Sequence, residues 1–271
     1  MPTKKTNSKK TNSSSARDRV AAARERERRT ATRRRNAVIA LTAAVVVAAG
    51  VGGSIALADG GSSAKATAPS AAVTVPANTS GPGGTVIVYG KADAPNTLDV
   101  YEDFRCPICD KLERTDGATI RQLADDGTYK IQYHMGTFLD DNLGGSGSVT
   151  ALAAAGAALN ESPAKYEAFR TVLYANQPDE QNDGFANTDT LLALASKVPG
   201  LRNAAFDAAV RNGTYKPWAE KVGAAFSSSG VTGTPTVLLN GTTLTLFDNS
   251  GNPVSPAQFE ALVRQTAAAK K

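Results

Sequence analysis

Beyond residue 84 the chain switches between short stretches with a two-residue hydrophobic period and longer ones with a helical period. Thr85-Val86-Ile87-Val88-Tyr89 is a β-branched and aromatic run closed by Gly90, and it predicts a strand. After a turn-rich segment at 91–96, Leu98 to Phe104 predicts a second strand. It runs through Arg105-Cys106-Pro107-Ile108-Cys109 straight into helical spacing that lasts to about Asp125. Tyr129 to Met135 alternates again as a strand. From Val149 to Phe226 the spacing is helical, with breaks at 161–163, 177–187, 199–200 and 212–213. Thr236–Asn240 and Thr242–Phe247 predict a hairpin about Asn240-Gly241. A last helix opens at Ser255-Pro256-Ala257-Gln258, with a capping serine, a first-turn proline and a glutamine at the third helical position. The order predicts an α/β domain over 85–271 with a helical insertion at about 146–226.

Upstream of residue 85 the pattern is different in kind. Residues 37–58 form a 22-residue run without a charged side chain, and about 20 apolar residues suffice to cross a bilayer as a helix. Arg33, Arg34 and Arg35 flank its start and Asp59 its end. The positive-inside rule then predicts a signal-anchor helix with the N-terminus in the cytoplasm and the domain outside. Ala56-Leu57-Ala58 also fits a signal-peptidase site, so secretion after cleavage following Ala58 is the alternative; the apolar run exceeds the usual signal core. Residues 59–84 are mainly Gly, Ser, Ala, Thr and Pro, and predict a flexible linker that adds nothing to the core.

Charge sharpens this division. Thirteen of the 30 Lys and Arg residues fall within 1–35, against three acids, so the remainder carries a net −5 although the whole chain is +5. The basic character belongs to a solvated, disordered cytoplasmic tail at 1–36 suited to anionic lipid headgroups, and a nucleic-acid role for the domain is unsupported. With 41% hydrophobic residues, the rest of the chain can bury a sizeable core.

The chain has two cysteines, both in one tetrapeptide. A bridge there closes almost no loop and adds little stability, whereas a small disulfide scaffold spreads its cysteines along the chain. Chemistry is the better reason for them. A Cys-x-x-Cys at a strand-to-helix junction puts the first sulfur beside unpaired backbone N–H groups and the positive end of a helix dipole. That setting favours thiolate and makes Cys106 the exchange nucleophile. Cys109, one turn deeper, can resolve a mixed disulfide. Pro107 suits a first helical turn. The Pro107-Ile108 pair tunes the site without a charged or imidazole group, leaving the potential open across about −270 to −120 mV. A zinc site wants about four ligands; with two cysteines and His134 alone, neither a metal nor a cofactor is expected. His134 reads as a strand residue packed or solvated locally rather than a catalytic base, and Trp218 as packing in the core or insert rather than a substrate platform.

Gly233-Thr234-Pro235-Thr236, taken alone, reads as a proline opening a strand. Together with Phe104-x-Cys106-Pro107-x-Cys109, about 125 residues upstream and with helical sequence between, it resembles the DsbA-like branch of the thioredoxin superfamily. Asp103-Phe104, and Tyr174-x-x-Gln177-Pro178 in the insert, are similar to members found as anchored exported proteins. The resemblance covers about residues 85–268. It implies a thioredoxin-like fold whose helical insertion caps the active site, and a cis Thr234–Pro235 peptide against the cysteines. The backbone of Thr234 would then bind an extended substrate by strand addition. In one respect the chain departs from the family, which commonly carries a buried carboxylate six residues before the first cysteine. Val100 stands there; Asp99 has the opposite parity, and Glu102 has the right parity but lies nearer the motif.

Resemblance and compartment together imply an oxidase of exported proteins bearing cysteine pairs, recycled by a membrane redox partner. A disulfide reductase or isomerase, and a non-catalytic peptide-binding adaptor on the same fold, are the alternatives.

Overall fold

The computed structural model describes residues 73–269. The tail, the apolar run and the linker as far as residue 72 lie outside the described residues, and so do the expectations placed on them. Among the described residues no helix is long and apolar enough to cross a membrane.

The alternating runs are strands: β1 (Thr79–Ser80), β2 (Val86–Tyr89), β3 (Thr97–Glu102), β4 (Lys130–Met135), β5 (Thr236–Leu239) and β6 (Thr242–Thr243). The helical runs are α1 (Pro107–Asp125), α2 (Phe138–Leu143), α3 (Gly147–Glu161), α4 (Pro163–Ala175), α5 (Thr188–Ala195), α6 (Ala204–Arg211), α7 (Lys216–Ser228) and α8 (Pro256–Ala268). One sheet of order β1-β2-β4-β3-β5-β6 organises them. β3 runs parallel to β4 and antiparallel to β5, so Val100 sits between Tyr133 and Val237. Strand alternation buries Leu98, Val100 and Glu102 on the face that also buries Ile131, Tyr133 and Met135.

That face is covered by α1 and α4, while α8 packs against α1 and β5. On the other face Phe226 of α7 lies edge-on to Tyr101 of β3. α1 buries Cys109, Leu112, Ile120 and Ala124 at helical spacing and also, unusually, Glu113 and Asp116. α3, rich in Ala and Gly, is buried on nearly every side and forms the axis of the insert, packed by α4, α6 and α7. Gly156 permits the close crossing with α7, because a Cβ there would lie 2.6 Å from the Trp218 ring. Trp218 is fully buried, in keeping with a packing role. At the last helix, Ser255 and Gln258 form the reciprocal capping box expected from their spacing.

The structure departs from the sequence pattern in three places. α2 forms in a stretch without a helical period, and tertiary contacts of Asp140 and Leu139 hold it. The second hairpin strand stops at Thr243, short of the expected Phe247; Leu244 and Leu246 are buried, and the chain beyond them makes a turn at 248–252. Residues 73–84, read as linker, belong to the folded unit: Pro76 is buried, β1 pairs with β2, and Asn78 Nδ2 donates to Leu159 O at 2.8 Å.

Candidate active site

β3 ends at Glu102 and α1 begins at Pro107, so Asp103–Cys106 must turn the chain from sheet to helix. Cys106 closes that turn, its N–H donating to Asp103 O at 2.9 Å, and occupies the N-cap of α1 with Pro107 as the first helical residue. Its carbonyl accepts the first helical bonds from Cys109 and Asp110. The Cys106 sulfur lies 3.5 Å from Thr234 O, and the Thr234–Pro235 peptide is cis. The structure therefore brings together Cys106, Cys109, Thr234 and Pro235 from opposite ends of the domain. Ile108 stands 43% exposed beside them, an apolar side chain presented to solvent at the nucleophile.

The two thiols are driven apart electrostatically. The Cys106 thiol is lowered to about 7, chiefly by a hydrogen bond from Cys109, with Thr234 and the N–H groups of Cys109 and Ile108 adding to it against the cost of burial. The Cys109 thiol is pushed well above its ordinary value by burial first, then by Cys106 and Glu102. One sulfur is prepared to ionise and the other to hold its proton.

Beneath Cys109 lies a buried charge cluster. Arg170 of α4 donates Nε and an Nη to the two Glu102 oxygens at 2.6 and 2.7 Å, and its other Nη to Glu113 at 2.7 Å and Glu167 at 3.3 Å. Arg121 pairs with Glu113 and stands 3.6 Å from Glu167. The Arg170 guanidinium stacks over the rings of Tyr133 and Tyr174. Three carboxylates thus face two guanidiniums. Burial raises Glu102 and Glu167 against the pull of Arg170, whereas Arg170 and Arg121 outweigh burial at Glu113 and lower it.

A second network ties the turn to the insert. Buried Arg105 donates to Asp140 at 2.8 Å, Gly144 O at 2.9 Å and Glu180 O at 2.9 Å, and pairs with Asp183 at 3.2 Å. Those two carboxylates accept the N–H groups of residues 146 to 149, which satisfies the start of α3. Asp103 accepts from Ser148 Oγ at 2.6 Å and from the Arg105 and Leu139 amides, and burial pushes it up to about 6. Gln177 Nε2 donates to Phe104 O at 2.8 Å and Cys106 O at 3.0 Å.

The other acids fall where strand parity put them. Val100 is buried at the place of the family's carboxylate. Asp99, on the opposite face, bonds His134 at 2.9 Å, and His134 stacks on Tyr101. Glu102 is the acid that reaches the Cys109 side. Sequence reasoning missed its partners, although charged Glu113 on an apolar helical stripe and the Glu167/Arg170 spacing of three were legible signals. Among the described residues no group of three or more His, Cys, Asp or Glu is arranged to hold a metal ion.

A thioredoxin family model matches residues 83–265. The chain belongs to the thioredoxin family. Among solved structures of this fold, the reduced form of the disulfide bond oxidoreductase DsbG from Mycobacterium tuberculosis superposes with a TM-score of 0.54 at 27% identity, over 65% of this chain and 82% of that one. Reduced DsbA from Mycobacterium tuberculosis gives 0.55 at 25% identity, over 67% and 92%. The thiol-disulfide oxidoreductase MdbA from Actinomyces oris gives 0.54 at 26%, over 66% and 84%. These likenesses set the chain among the DsbA-like members of the thioredoxin family. Curated relatives described as the serine/threonine-protein kinase PknE of Mycobacterium tuberculosis are 27% identical over 158 residues. That match takes in 56% of this chain and 28% of the relative, so the chain spans about a quarter of their length.

Proposed function

We propose that this protein is a membrane-anchored, extracytoplasmic thiol–disulfide oxidoreductase that oxidises substrate dithiols through a Cys106–Cys109 disulfide. The observation that carries the reading is the seat of Cys106: a helix N-cap with its sulfur 3.5 Å from the carbonyl before a cis proline. A substrate thiolate attacks the Cys106 sulfur, the Cys106–Cys109 bond breaks, and Cys109 leaves and takes up a proton. A second substrate thiolate then attacks the substrate sulfur of the mixed disulfide and releases Cys106 as thiolate. The substrate loses two electrons and two protons; both electrons and one proton pass to the enzyme, which ends with Cys109 as thiol and Cys106 as thiolate, and the second proton goes to solvent.

Each side chain has a part in this. Thr234 offers its backbone to an extended substrate by strand addition, and Pro235 holds that carbonyl toward the sulfur. Pro107 and Ile108 tune the site, Ile108 as an apolar contact. Glu102 is the carboxylate on the Cys109 side and stands nearest in role to the family's buried acid. The apolar run 37–58, with arginines before it, supports an uncleaved anchor facing the domain outward. A membrane redox partner would reoxidise the dithiol.

A reductase or isomerase is the second reading, and one observation favours it. A first-cysteine value of about 7 is thioredoxin-like, and strong oxidants stabilise the thiolate much further. The equilibrium potential of the full chain against glutathione decides between the two: near about −120 mV it is an oxidant, and below about −250 mV a reductant. Failure of the disulfide form to oxidise a reduced unfolded peptide stoichiometrically sinks the oxidase.

A further inference from the structure

The turn Asp103–Cys106 belongs neither to β3 nor to α1, so neither ladder supplies partners for all of its carbonyls. Phe104 is buried, and its carbonyl receives a side-chain amide, Gln177 Nε2, at 2.8 Å. The same nitrogen donates at 3.0 Å to Cys106 O, which already accepts two helical N–H groups. One side chain therefore clasps the peptide groups on both sides of Arg105–Cys106. Gln177 is itself held in place: its backbone N–H donates to Tyr174 O at 3.0 Å, and Tyr174 packs against the Phe104 ring at 5.4 Å between centroids.

The orientation of this clasp has a chemical consequence. Carbonyl oxygens carry partial negative charge, and the Cys106 carbonyl is bonded close to its own sulfur by covalent geometry. A donor on these oxygens offsets that charge where a thiolate must form, and it fixes the turn that presents the sulfur to Thr234. We propose that Gln177 is a positioning residue for the Cys106 thiolate, acting through the carbonyls of Phe104 and Cys106. The proposal rests on reading Cys106 as the nucleophile.

Gln177→Met keeps the length and removes the donor; Gln177→Glu replaces the donor with an acceptor and adds charge. The test titrates the thiolate absorbance of the reduced full chain between about pH 4 and pH 9, where buried Cys109 stays protonated, and records thermal unfolding alongside. The expected order of apparent Cys106 values is wild type, then Q177M, then Q177E. Thiolate at pH 7 should fall about twofold in Q177M and about fivefold or more in Q177E. A folded Q177M that titrates like wild type overturns the proposal, even if Q177E shifts, because added charge alone would explain that. Q177L takes the place of Q177M should the latter not fold. A wild-type Cys106 that titrates near the ordinary thiol value of about 8.5 defeats the redox reading itself, before any variant is compared.

Discussion

Cys106 and Cys109 share one helical turn, yet the first is solvated by donors and the second is sealed against the Glu102 cluster. The asymmetry dictates what each substitution does. Cys109→Ser leaves Cys106 without its resolving partner, so a mixed disulfide with glutathione, formed when the Cys106 thiolate attacks oxidised glutathione and displaces one glutathione thiolate, should persist, seen as a mass increment; Cys106→Ser should form none. Asp116 poses a different problem at the same scale. Both of its oxygens are buried on the inner stripe of α1 without a hydrogen-bond partner among the described residues, and burial pushes its carboxyl up to about 6. Its folded value lies above its unfolded one, so ionisation destabilises the fold, fully above about pH 6 and not at all below about pH 4. Asp116→Asn should therefore raise the unfolding temperature at pH 7 and lose that advantage at pH 4; an equal gain at both would show that charge is not the cause.

At the scale of elements, β3, α1 and α4 meet through Arg170. With three carboxylates facing two guanidiniums, the loss of an acid and the loss of a cation are unequal events. Glu102→Gln leaves Glu113 and Glu167 to balance Arg170 and Arg121, and should cost about 1 kcal/mol or less. Arg170→Met strands buried carboxylates and should cost about 3–5 kcal/mol at pH 7. Those carboxylates would then titrate above their unfolded values, so the loss is present above about pH 4 and shrinks as the pH falls. Denaturant unfolding at pH 7 and pH 5 checks both the inequality and its pH dependence. Strand parity made Glu102 legible as an inward acid, and period and capping residues marked the boundaries of α1, α3, α4 and α8. The spacing of three marked the Glu167–Arg170 pair, but the rest of the Arg170 cluster was not legible, because it depends on Glu102 of β3 and Glu113 of α1 brought to α4 by packing. α2 was hidden for the same reason: Asp140 sits there to answer Arg105 and the start of α3.

For the whole molecule, the least legible feature is where the folded unit begins. Residues 73–84 are small, polar and rich in Gly and Pro, a composition that marks flexible linkers when read locally. What orders them lies far along the chain. Ala77 N–H meets Asn160 Oδ1 at 3.0 Å, Asn78 meets the end of α3, Lys221 Nζ reaches Gly83 O at 3.0 Å, and Trp218 Nε1 donates to Gly84 O at 2.7 Å. β1 also covers the edge of β2, which would otherwise present unpaired backbone groups. A chain beginning at Thr85, where the sequence pattern starts the domain, strips the Trp218 indole of its acceptor and reopens that edge. An orphaned buried donor costs about 1–3 kcal/mol, and the lost hydrogen bonds about 1 kcal/mol each where they are shielded from water. A net loss of about 3 kcal/mol lowers the melting temperature of a domain this size by roughly 6–12 °C. Thermal unfolding followed by Trp218 fluorescence, for chains beginning at Val73 and at Thr85, measures the difference. Coincident transitions would mean that these twelve residues rest on the domain without supporting it.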